Sequence, residues 1–273
     1  MNTVFVPLGY FDLALASLLL LFSGVLSIYL RLGLEKRLGI AALRMVVQLL
    51  LIGMVLKLLF TLVSPLWTGL AAAVMIGMAG REVMARQKRK FSGLWTYGIG
   101  TTSLMLAGSI VTVLALTTQI RPDPWYDPRF AIPILGMILG NTMNGISIGL
   151  DRLMNAAVNE RSAIEARLAL GHDRAAAFRP QVRDACRSGL IHIINAMSAA
   201  GVISLPGMMT GQILAGVDPT EAVKYQILIM FLIAGSTGMG TLTAVMFAVR
   251  RLSDSRHRLR LDRIENKSTH TKE

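Results

Sequence analysis

Seven apolar stretches recur along the 273-residue chain, at about 11–30, 40–60, 62–80, 94–119, 130–150, 188–214 and 225–249. A helix needs about 20 residues to cross the hydrocarbon layer of a bilayer, and each stretch approaches that length. The pattern predicts an all-α polytopic membrane protein with about seven transmembrane helices. One transmembrane domain is expected over 1–253, followed by a polar tail over 254–273 that should fray. The second stretch is the least regular, because Arg44 and Lys57 leave 12 uncharged residues between them. Both can snorkel to opposite interfaces. The sixth is overlong, with no formal charge in the 30 residues 188–217. Pro206 inside it removes a backbone donor, so a broken or kinked helix is expected there. The polar segment 151–187 is too long for a simple connector. Residues 155–170 are good helix formers, Gly171 is placed as a C-terminal cap, and Asp173 can cap a further helix that Pro180 ends. A short helix–turn–helix between the fifth and sixth spans follows.

Charge orients this framework. Of 28 Lys and Arg, 24 fall in four clusters at 31–44, 81–90, 152–187 and 250–272. The other four, Lys57, Arg121, Arg129 and Lys224, lie at the opposite ends of the apolar stretches. Cytoplasmic loops carry the excess of basic residues, so the N-terminus is expected outside and the C-terminus inside. No basic region precedes the first apolar run, which is therefore expected to remain as an uncleaved helix. A net charge of +12 would ordinarily suggest nucleic acid. Beside apolar spans, the inside rule and anionic headgroups account for it, so the expected partner is the lipid bilayer and not nucleic acid. Cys186 is the only cysteine, which excludes a disulfide framework and a Cys-based metal site. The deep parts of the spans hold almost no Asp, Glu, Lys or Arg, so a proton relay or voltage sensor lacks its titratable groups.

Within the fifth span, Met137, Asn141 and Asn144 share one helical face, and Gly136 and Gly140 form a small-xxx-small pair about 90° away. Amides in hydrocarbon must find partners, so this face lines either a cavity or a helix contact. In the sixth, Ser204-Leu205-Pro206-Gly207-Met208-Met209-Thr210 frees carbonyls beside two thioethers. Together, Met137, Asn141, Asn144, Pro206, Met208 and Met209 form the candidate solute path. No metal ligand set can be assigned. His192 has no second His at ligand spacing and reads as a hydrogen-bonded helix residue. Gly235-Ser236-Thr237-Gly238-Met239-Gly240 lacks the Gly-Lys-Ser/Thr that a nucleotide loop requires, so helix packing is expected of it. No ATP-binding motif occurs elsewhere in the chain.

Glu165-Ala166-Arg167-Leu168-Ala169-Leu170-Gly171 resembles the coupling motif of ABC-transporter permeases, which docks into a groove on the ATPase subunit. Small residues permit close docking, and Glu165, Ala166 and Gly171 are the expected contacts. Arg167 stands where a second Ala is common. The alternative is an amphipathic helix lying on the membrane surface. With Gly140-Asn141-Thr142-Met143-Asn144-Gly145 and the motif from Ser204 through Gly216, the chain resembles the FetB family over roughly residues 10–250, Arg44 and Gln48 included. These are iron-export ABC permeases with plant relatives linked to aluminium tolerance. The resemblance implies a bacterial inner-membrane permease, paired as a homodimer with a separate FetA-like ATPase that uses the ATP. The chain itself would be no enzyme and bind no cofactor. Some plant relatives are associated with a nucleotide sugar, so a polar organic solute is the alternative cargo, and a non-transporting membrane scaffold the alternative class. A retinal protein would need a Lys within the last span, and 225–249 contains none.

Overall fold

A computed structural model describes residues 9–254 and 256–265. Residues 1–8, 255 and 266–273, including the end of the expected polar tail, lie outside the described residues. Ten α-helices and no strand occur among the described residues: α1 (Tyr10–Tyr29), α2 (Glu35–Leu62), α3 (Pro65–Arg86), α4 (Trp95–Leu114), α5 (Pro128–Asn159), α6 (Arg161–Ala169), α7 (Arg174–Ala177), α8 (Arg179–Ala199), α9 (Gly207–Leu214) and α10 (Pro219–Leu252). Five helical segments are long and apolar enough to cross a membrane: Phe11–Tyr29, Glu35–Leu62, Trp95–Ile120, Pro128–Asn159 and Pro219–Leu252. The protein is an all-α polytopic membrane protein.

The two longest helices begin on the same signal. Asp127 caps α5 by accepting from the Arg129 backbone N–H at 2.9 Å, and Asp218 caps α10 through Thr220 at 2.8 Å. In each, Pro occupies the next position, where its missing N–H costs nothing. With 32 and 34 residues these helices run about 48 and 51 Å. Both exceed the ~30 Å hydrocarbon layer. They pack on each other and on α8, while α3 and α4 close the other side. Helices α1 and α2 form a hairpin that α2 joins to α3 and α5. Its apolar side chains are almost all exposed, as befits lipid contact.

Glycines set the central crossing. A Cβ on Gly145 would stand 2.6 Å from Thr237 Cγ2, and one on Gly189 would stand 2.6 Å from the Gly145 carbonyl oxygen. Gly149 is similarly pressed on Thr241, and Gly240 on Thr142. The expected small pair, Gly136 and Gly140, does not make this contact, since nothing lies within 4 Å of a Cβ at Gly140. Gly145 and Gly149 follow that pair by two and a half turns, so they face the other way, into α8 and α10. Thr142 and Ser236 join their hydroxyls across the same interface at 2.9 Å. The Gly-rich run of α10 therefore serves helix packing.

The sixth crossing differs from expectation at its start. Pro180 does not end a helix; it sits in the first turn of α8, which begins at Arg179. A proline is tolerated there for the same reason as Pro128. Beyond Gly189, α8 has ~15 Å of helix left, whereas α5 runs ~25 Å from Gly145 to Pro128 in the same direction. The helix thus stops ~10 Å short of the level where α5 begins. The chain turns at Gly201 (φ +83°), passes Pro206 in extended conformation, and re-forms as α9 against α10.

The tail does not fray over its described part. Its backbone runs beside the α3–α4 linker: Glu265 N–H donates to the Lys90 carbonyl at 2.8 Å and Ser92 N–H to that of Arg263 at 2.9 Å. Leu259, Leu261 and Ile264 pack on a core cluster that includes Phe91. The hydrophobic side chains at these positions, spaced among charges, explain the docking.

Candidate functional site

The sequence-selected residues separate into different environments. Asn141 returns its amide to the Met137 carbonyl at 2.8 Å, one turn back on α5. Met137 and Met208 both pack, partly buried, on an apolar cluster containing Ile138, Ile193 and Ile229. Pro206 caps α9, and its carbonyl is taken by the Thr210 N–H and hydroxyl, each at 3.1 Å. Met209 follows on α9, half-buried. Asn144 alone of the six opens into a polar cavity.

That cavity lies where the basic clusters converge. Its volume is about 470 Å³, and it is walled by Arg86 from α3, by Asn144, Ser147, Asp151, Arg152 and Asn155 from α5, and by Ser188 and His192 from α8. Asn144, Asp151 and Asn155 recur at intervals of seven and four residues, which keeps them on one side of α5. The Asn144 side-chain oxygen accepts from the Arg86 guanidinium. Arg86 also pairs with Glu82 at 3.4 Å, and Glu82 with Arg44 of α2 at 3.3 Å. A polar chain therefore runs from α2 through α3 to α5. Asp151 is engaged by the Lys88 N–H at 3.3 Å and the Asn155 amide at 3.1 Å. Arg89 in turn donates to Asn155 at 3.1 Å. Apart from Asn144, these residues were not chosen as path residues from the sequence, because their charges read as loop bias and His192 as a helix residue. The signal lay in the polar face of Asn141 and Asn144 continuing toward Asn155.

The second candidate region is the hairpin of α6 and α7. Ile164 and Phe178 are fully buried beneath it. Arg167 donates to the Ala177 carbonyl at 2.9 Å and to Gln181 at 3.3 Å, and Gln181 donates to Glu160 at 2.6 Å. The residue that departs from the coupling motif thus staples the hairpin to α8. Gly171 has φ +88°, the left-handed geometry expected of a C-terminal cap. Asp173 caps α7 through Ala176 at 2.8 Å. Glu165 is exposed and pairs within its own helix with Arg161 at 2.8 Å, and Ala166 is exposed beside it. Leu170, 80% exposed at the tip, was not singled out. Leu170 and Gly171 thus stand at the exposed tip of a braced turn.

A model of an uncharacterised protein family, UPF0014, matches residues 10–253. The "probable iron export permease protein FetB" of Escherichia coli K12 is 31% identical over 256 residues, covering 94% of this chain and 96% of its own. A UPF0014 membrane protein of Synechocystis is 36% identical over 220 residues, 79% and 83% of the two chains. "Protein ALUMINUM SENSITIVE 3" of Arabidopsis thaliana is 30% identical over 231 residues, 85% and 82%. No solved structure matches. The chain, an all-α membrane protein matched from its first span to the end of α10, belongs to the UPF0014 family.

Proposed function

We propose that this chain is the permease subunit of an ABC transporter that exports iron or another metal across a bacterial inner membrane. A separate FetA-like subunit binds and hydrolyses the ATP; this chain is not the enzyme and holds no cofactor. The observation that carries the reading is the braced α6–α7 hairpin with Leu170 and Gly171 at its exposed tip, in a family whose E. coli member is named a probable iron export permease. The hairpin stands at the end of the bundle where the basic clusters meet, which we assign to the cytoplasm. A homodimer is part of the proposal. Gln48 is exposed on α2 inside the expected second span, one turn beyond the Arg44 that pairs with Glu82. A polar group at that depth needs protein or water beside it rather than lipid, and a second copy would supply it.

A polar organic cargo is the second reading, favoured by one observation. No group of three or more His, Cys, Asp or Glu able to hold a metal occurs among the described residues. The test of the main reading is reconstitution in nanodiscs with a FetA-like ATP-binding subunit from the same genome. ATP hydrolysis that rises in the presence of the chain, and metal tolerance restored to cells lacking it, are expected. Hydrolysis indifferent to the chain would reduce it to a scaffold. Hydrolysis stimulated without metal tolerance moves the assignment to the organic cargo.

A further inference from the structure

The cavity at the basic end carries information about the cargo, and this inference rests on the permease reading above. Two guanidinium groups, Arg86 and Arg152, face a single carboxylate, Asp151, across about 470 Å³. Asp151 accepts one hydrogen bond on each oxygen, from the Lys88 N–H and the Asn155 amide. Arg86 is divided between Glu82 and Asn144. For Arg152 and His192 no hydrogen-bond or ion-pair partner is found among the described residues. The Ser147 hydroxyl lines the same cavity, buried and without a partner. A buried polar group left unmatched costs free energy that a ligand can recover. The donors on offer are guanidinium, hydroxyl and amide, a set that matches oxygens of an anion. A bare divalent cation meets one carboxylate, Asp151, beside two guanidinium groups.

We propose that the cargo enters this cavity as a multi-oxygen anion, held by Arg152 and Arg86, with Ser147, Ser188 and His192 available to its remaining oxygens. Two sources share that chemistry: a phosphate ester, or a metal carried inside an anionic carboxylate complex. The second reconciles metal export with a cavity that offers the naked ion a single carboxylate.

The full chain in detergent is to be titrated with inorganic pyrophosphate, citrate, ferric citrate and Mn²⁺ alone, reading tryptophan fluorescence or thermal shift. At least one anion should bind, and binding should weaken about tenfold or more in Arg152→Gln, the loss expected for one charge-assisted contact. Arg129→Gln removes the same charge at the opposite end and should leave affinity unchanged. Raising the salt should also weaken wild-type binding, which needs no variant. Ferric citrate binding tighter than citrate and pyrophosphate identifies the metal complex, and pyrophosphate binding tightest identifies the phosphate ester. The proposal is overturned if no anion binds, if Arg152→Gln binds as wild type does, or if Mn²⁺ alone binds and the anions do not. Chain-dependent ATP hydrolysis surviving such a result leaves the permease standing and removes only the anion. Loss of both removes the permease as well.

Discussion

Gly145 and Gly189 illustrate how single positions hold this bundle together. Each lacks a Cβ where one would meet the other's helix inside van der Waals contact. Gly189→Ala places a methyl 2.6 Å from a backbone oxygen, and backbone cannot step aside as a flexible side chain can. The expected cost is about 1–3 kcal/mol of overpacking, read as a lowered melting temperature in detergent. Gly140→Ala, with open space around it, should melt like wild type. Equal melting of the two variants would show that the crossing is not tight. Gly171 makes a different demand. At φ +88° a β-branched residue is strained, so Gly171→Val should lower stimulated ATP hydrolysis while the membrane helices still melt normally. Normal stimulation would detach this turn from coupling. The left-handed cap was legible because Gly171 ends a run of helix formers. The crossing was not, because two glycine pairs with identical spacing lie on opposite faces of α5, and only the neighbours distinguish them.

Among the elements, the tail strap shows how ionic contacts can fix a segment that looks unstructured. Asp254 accepts from the Arg256 and Arg258 N–H groups, each at 2.9 Å, and from the Arg258 side chain at 2.8 Å. Hydrogen bonds from Arg258 hold its carboxyl below the ordinary 3.8. The paired hydrogen bonds of Arg260 hold Asp262 at about 2. Arg251, stacked 4.1 Å over the Trp95 ring, has its carbonyl taken by Arg263 at 2.8 Å. A carboxylate with a depressed folded value lends stability that is complete above its unfolded value and fades as pH falls through the folded one. Protease protection of the strap should therefore be flat from neutrality down to pH 5 and fall only below about 4. Protection lost already near pH 6 would mean that other groups hold it. The strap was missed because Leu259, Leu261 and Ile264 are too few to read as an element until Phe91 supplies their surface. The hairpin was read in outline. Its error, taking Pro180 as a stop, follows from a residue that breaks helices inside and starts them at the first turn.

At the scale of the whole molecule, the charge pattern was the most legible feature. Arg44, Arg86, Arg89 and Arg263 come from three separate clusters and meet partners at one end of the bundle. The proposed orientation places that end in the cytoplasm. In a Cys186→Ala background, Val202→Cys at the exposed turn after α8 should react with a membrane-impermeant maleimide in intact cells, and Leu170→Cys should not. Reaction at residue 170 alone would invert the protein. The cavity was illegible because its walls come from three helices whose mutual rotation no periodicity reveals. One consequence of the glycine crossing is mechanical. The backbone of α5 comes closest to α8 and α10 around Gly145 and Gly149, with ~15 Å of rod beyond them toward the hairpin and ~25 Å toward Pro128. Spin labels at both ends, followed through an ATP cycle, should show the far end travelling farther than the near one; equal travel would mean that the helix slides instead of tilting. A rod tilting about that crossing would be a lever, turning each ångström of displacement at the hairpin into ~1.7 Å at the opposite face.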